Sequence, residues 1–143
     1  MDITHNLSIN ASPKTIYNAV ATAKGINGWW SKDCQVGEKE GEHSLLKFDK
    51  QGTIVEMGFR TKELVPGKRV EWECTENANP AWIGTKIITE ISENNGTCKV
   101  TFSHAGFDDK WKGKDPFEMT KQGWEHFVSS LVSFCEKGTG QPW

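Results

Sequence analysis

Residues 115–137, DPFEMTKQGWEHFVSSLVSFCEK, read as one amphipathic helix, and their position after a long run of strands decides the fold. Asp115 is placed to cap, Pro116 suits the first turn, and Glu118 reaches back, a capping box with aspartate in the cap role. Trp124, Phe127, Val128, Leu131, Phe134 and Cys135 fall on one apolar stripe. Glu125, His126, Ser129, Ser130 and Ser133 lie away from its centre, and Gly138 follows as a C-cap.

Working back from that helix, the period changes to two. Cys98, Val100, Phe102 and His104 share a face, with Lys99, Thr101 and Ser103 turned outward. Asn95-Gly96 predicts a hairpin, because both residues tolerate positive φ. Before it, Thr85, Ile87, Thr89 and Ile91 alternate with Gly84, Lys86, Ile88 and Glu90, and Asn79-Pro80 marks a loop. Val70, Trp72 and Cys74 oppose Glu71, Glu73 and Thr75, and Val65-Pro66-Gly67-Lys68 is a turn. Val55, Met57 and Phe59 share a face, as do Ser44, Leu46 and Phe48. Each long strand has one apolar and one polar face, the pattern of an antiparallel sheet covered on one side.

The chain opens with a half-buried strand, Leu7 and Ile9 alternating with Ser8 and Asn10. Ser12-Pro13 starts a short helix that turns Ile16, Ala19 and Val20 inward. A second runs from Thr22 to about Trp29, weakened by Gly25 and Gly28. The expected fold is therefore α+β: a first strand, two short helices, a curved antiparallel sheet of about six further strands, and a long C-terminal helix across it. A single helix touches a twisted sheet along only part of its length, so a cavity is expected beneath it.

Composition sets the outer bounds. The 143 residues suit one domain, taken to span 1–143. A net charge of −2 argues against nucleic-acid binding. The first residues lack a basic start and an apolar run, and no segment reaches about 18 consecutive apolar residues, so no membrane span is expected and the cytoplasm is the default location. Cys34, Cys74, Cys98 and Cys135 form no Cys-x-x-Cys pair and read as free thiols; no metal site and no cofactor is expected.

An ordered set of short matches runs through nearly the whole chain: Ala11-Ser12-Pro13-Lys14-Thr15-Ile16-Tyr17, Gly28-Trp29-Trp30, Leu64-Val65-Pro66-Gly67-Lys68-Arg69-Val70, Trp82-Ile83-Gly84-Thr85, Thr101-Phe102-Ser103-His104 and Gly123-Trp124. It resembles the START-like (SRPBCC) superfamily, and within it the branch named for similarity to the C-terminal domain of a heat-shock chaperone ATPase activator. The resemblance implies the helix-grip fold and a deep apolar cavity between helix and sheet. Relatives of this kind bind lipids, sterols, polyketides or hormones; some are cyclases, and no family-wide catalytic set follows.

Candidate ligand contacts come from strand parity, helix phase and that implied cavity. Phe48, Phe59, Trp72 and Phe102 face inward on the sheet, and Thr85 offers a polar contact beside them. Trp124 and Phe127 face the sheet from the helix. One of Trp29 and Trp30 is expected to point inward, since adjacent residues rarely share a side. Each of these aromatics would serve an ordinary core equally well. His104 ends an apolar alternation and is either a satisfied structural residue or a donor to a ligand. As a general base it lacks an identifiable carboxylate partner. Trp111, among lysines and aspartates, reads as part of a surface loop or lid.

A small hydrophobic molecule is the expected partner, with no catalytic residues assigned. A cyclase or hydrolase would need acid–base groups inside, and only Glu63 and His104 are candidates. A chaperone-interaction module is the third reading; it is disfavoured because the chaperone activator relies on a further N-terminal domain and this chain starts almost at its first strand. The oligomeric state is not expected to be readable.

Overall fold

The computed structural model describes residues 1–143. The strands are β1 (Ile3–Ile9), β2 (Asp33–Gln35), β3 (His43–Lys50), β4 (Thr53–Val65), β5 (Arg69–Asn77), β6 (Lys86–Asn94) and β7 (Thr97–Ala105). The helices are α1 (Pro13–Ala21), α2 (Ala23–Trp29) and α3 (Asp115–Lys137). All seven strands form one sheet in the order β1-β7-β6-β5-β4-β3-β2, and each neighbouring pair is antiparallel. This is the α+β helix-grip architecture expected from the sequence; the three-residue edge strand β2 has no alternation long enough to announce it.

The turns form for the reasons their residues suggest. Asn95 and Gly96 adopt φ of 53° and 84°, joining β6 to β7. At the β4–β5 turn Lys68 N donates to Val65 O at 2.9 Å, and Gly67 takes φ 73°. Ser12 caps α1 by accepting from Thr15 N at 3.1 Å, and Thr22 caps α2 by accepting from Gly25 N at 3.0 Å.

Three expectations are corrected. The capping box on α3 does not form: Lys114 occupies the cap position without a side-chain bond, because the chain is already helical at Asp115. Asp115 and Glu118 instead place negative charge in the first turn, where the helix dipole favours it. Glu63 does not face inward. Thr61 pairs with Trp72 and Glu63 with Glu71, so Lys62 is an extra residue, and this bulge turns Glu63 outward to pair with Arg69 at 2.7 Å. Ser130 is buried despite lying off the apolar stripe. The segment after α3 folds back over it, with Gln141 N donating to Ser130 Oγ at 2.6 Å.

The core lies between α1, α2 and α3 on one side and the concave sheet face on the other, with Ile9, Ile16, Leu46, Phe59 and Leu131 fully covered. The opposite face carries charge, including Arg69 bridged to Glu63, Glu71 and Glu90. No helix is long and apolar enough to cross a membrane.

Candidate functional site

A groove of about 680 Å³ runs between α3 and the β3–β4–β5 side of the sheet. Phe48, Val55 and Met57 form its floor, and Met119, Gly123, Trp124 and Phe127 its roof. Trp30 closes it on the inside. Strand register sets the ends: Met57 pairs with Asn77, whereas Lys50 lies at the β3–β4 turn opposite Thr53. Asn77, Asn79 and Trp82 therefore mark one end, and Lys50 with Trp143 the other. These ends are roughly 13 Å apart along β4 at the usual rise per residue. The groove opens to solvent, where Met119 is 67% and Trp143 46% exposed.

Four of the expected contacts line this groove: Trp30, Phe48, Trp124 and Phe127. Trp29, Trp72 and Phe102 lie deeper, around a small void of about 10 Å³ that Trp30 also borders. Phe59, Thr85 and His104 line neither space and pack within the core. Trp29 and Trp30 both point inward, contrary to expectation: they are 1% and 2% exposed and stack at 5.6 Å. Trp30 is the residue after α2, with φ −116° and ψ −64°, so helical phase no longer separates the two side chains.

His104 has both ring nitrogens engaged. Trp124 Nε1–H donates to Nδ1 at 2.9 Å, which leaves the proton on Nε2, 2.7 Å from Thr85 Oγ1. Thr85 in turn donates to Trp82 O. Burial pushes the imidazole down to about 3, so it stays neutral. The chain Trp124–His104–Thr85–Trp82 thereby fastens α3 to β7, to the residue before β6 and to the turn carrying Trp82.

Several groove residues escaped sequence reasoning. Trp82 sits in a 3-10 turn, Pro80–Trp82, whose Asn79 cap accepts from Ala81 N. Asn79 Nδ2 also donates to Pro116 O at 3.1 Å, drawing the turn against α3. The Trp82 ring stacks on Trp124 at 5.9 Å, and its N–H reaches Thr120 Oγ1 at 2.8 Å. The Asn79-Pro80 signal identified the loop without indicating its direction. Trp143 packs on Phe127 at 5.3 Å and is anchored by backbone bonds from its N to Trp30 O and from Lys32 N to its O, each 3.0 Å. Gly123 has open space where a side chain would stand, a vacancy invisible to periodicity.

The site's chemistry is apolar. No carboxylate lines the groove, and Lys50 and His126 are its ionisable walls. Burial raises Cys74 and Cys135 to about 12, leaving them as thiols and poor nucleophiles. A second, larger depression of about 940 Å³ beside β2 and β3 is walled by charged groups such as Lys32, Asp33, Lys47 and Asp49, and does not suit an apolar guest.

A curved antiparallel sheet gripped by a C-terminal helix, with two short helices after the first strand and a groove under the grip, defines the START-like helix-grip class. The chain belongs to the family described as Activator of Hsp90 ATPase homolog 1-like protein, which matches residues 10–136. It is similar to the solution structure of the Aha1 dimer from Colwellia psychrerythraea, at 29% identity and TM-score 0.79, with 98% of this chain and 99% of that one covered. A crystal structure from Staphylococcus saprophyticus shares the fold at 18% identity and TM-score 0.76, covering 99% and 96% of the two chains. So does CalU16 from Micromonospora echinospora, at 17% identity and TM-score 0.70, covering 98% and 76%. No curated protein matches the chain.

Proposed function

We propose that the protein binds a small hydrophobic or aromatic molecule in the groove beneath α3, acting in the cytoplasm as a carrier or sensor and catalysing nothing itself. The observation that carries this reading is the groove: about 680 Å³ of space with tryptophan, phenylalanine and methionine walls and no carboxylate. Its volume lies in the range typical of small-molecule sites. A guest with roughly 200 Å² of apolar surface gains about 5 kcal/mol by burial before association costs are subtracted, without any reactive group. The cyclase or hydrolase alternative is weakened by the position of its two candidates: Glu63 faces solvent, and His104 has both nitrogens occupied.

Native mass spectrometry of gently purified protein tests the reading. One low-mass apolar adduct per chain is expected. Bare protein that also takes up none of a panel of aromatic probes overturns it. A chaperone-docking role is a second reading, favoured by the family description and by the similarity to the Colwellia Aha1 structure. Recovery of a heat-shock chaperone by the tagged protein, with the groove remaining empty, would put that role first.

A further inference from the structure

Among the core tryptophans, three have their indole N–H groups satisfied: Trp29 by Ala19 O at 2.7 Å, Trp82 by Thr120 Oγ1 at 2.8 Å, and Trp124 by His104 Nδ1 at 2.9 Å. Trp30 and Trp72 make no such bond, and of these two it is Trp72 whose N–H is shut away from solvent. Its side chain is 3% exposed, and its Nε1–H is buried without an acceptor. A buried donor left unpaired is a standing cost to folding, and such groups need an explanation.

Trp72 borders the small void of about 10 Å³ between α1, α2 and the sheet. That is about the space one water needs, but a buried water also needs two to four polar partners. Eight of the nine residues around the void are hydrophobic, and the remaining one is Thr89. The void suits the tip of an apolar molecule better than a solvent molecule.

Trp30 is the one residue that lines both this void and the groove. Its backbone is fixed, donating to Ile26 O at 2.9 Å and accepting from Trp143 N at 3.0 Å. Its indole has no hydrogen bond to break and is held by ring contacts alone, including Trp124 at 5.2 Å, Phe59 at 5.6 Å and Trp72 at 6.3 Å. The groove on its other side has room to receive the ring.

We propose that Trp30 is a door between the groove and an inner seat, and that Trp72 Nε1–H is the hydrogen-bond donor of that seat. Turning the Trp30 ring into the groove joins the two spaces. The ligand class this defines is a flat apolar molecule whose leading end carries one hydrogen-bond acceptor, such as an aryl ketone. The proposal rests on the groove being the ligand site and adds how deep the ligand goes and which atom it meets.

A matched pair of probes separates the two levels. 2-Acetylnaphthalene carries the acceptor; 2-isopropylnaphthalene has nearly the same shape without it. In a ¹H–¹⁵N spectrum the seven tryptophans give seven indole signals, and through-bond assignment identifies that of Trp72. The ketone should shift the Trp72 signal downfield and bind roughly five- to tenfold more tightly than the hydrocarbon, the usual scale for one buried hydrogen bond. Trp72→Phe should abolish that preference, so that the two probes bind the variant alike. Trp30→Phe, a smaller door, should speed association of the ketone. If both probes bind equally and shift Gly123 and Phe127 but not the Trp72 indole, the inner seat is wrong and the groove reading survives. If neither probe shifts any groove residue, both readings fall.

Discussion

His104 is where residue chemistry and fold stability meet. It accepts from Trp124 and faces Thr85, so removing the ring strands the buried Trp124 N–H, takes one of the two partners of Thr85 Oγ1 and opens a cavity. His104→Ala should therefore cost about 2–4 kcal/mol in chemical denaturation while leaving probe affinity per folded molecule unchanged. The same residue predicts a pH dependence. An unfolded chain protonates this imidazole near 6.5, whereas burial holds it down to about 3 in the native state. Below pH 6.5 the unfolded state binds a proton that the native state refuses, so the contribution of His104 to stability falls from pH 6.5 toward 3. His104→Gln carries no titrating group. Its melting temperature should drop less than that of the wild type between pH 7 and pH 4.5; equal drops would contradict the assignment. The sequence placed His104 inward at a sheet end by parity. The partners that make it structural lie 19 and 20 residues away, beyond the reach of any local pattern.

At the scale of elements, the alternation of the strands was legible because each has water on one face and core on the other, the condition under which period two is most visible. The bulge at Lys62 was not legible, since an extra residue leaves composition unchanged while reversing parity beyond it. The α1–α2 corner shows a different limit. Propensity alone marks Gly25 as a defect in α2. The structure gives it a purpose: a Cβ there would stand 2.1 Å from Asn18 O and 2.6 Å from Ala19 Cα, both backbone atoms. Gly25→Ala should destabilise the protein by about 1–3 kcal/mol despite the better helix former, because the two helices must separate to admit it. Chemical denaturation checks this; a neutral or stabilising result would mean that the corner is looser than the geometry requires.

At the scale of the molecule, the sequence predicted a helix across a curved sheet, and that arrangement is present. The space beneath was legible only as a consequence of curvature. Which aromatics fill it and which merely line it depends on volumes and on two segments without periodicity. One is the turn that carries Trp82 inward; the other is residues 138–143, which bring Trp143 against Phe127 and Lys50. Hence Phe59 and Phe102, inward by parity, are core, while Met57 and Gly123 face the groove.

Gly123 allows the most direct test of the central claim, that this groove takes an apolar guest. It lies in the roof with nothing within 4 Å of where a Cβ would stand, so Gly123→Phe fills the groove from a helix that a glycine only weakens. 1-Anilinonaphthalene-8-sulfonate, aromatic and anionic to suit Lys50, should bind the wild type with one-to-one stoichiometry. The folded variant, at least as heat-stable as the wild type, should bind it about tenfold or more weakly. Equal binding by the two folded proteins would contradict the account.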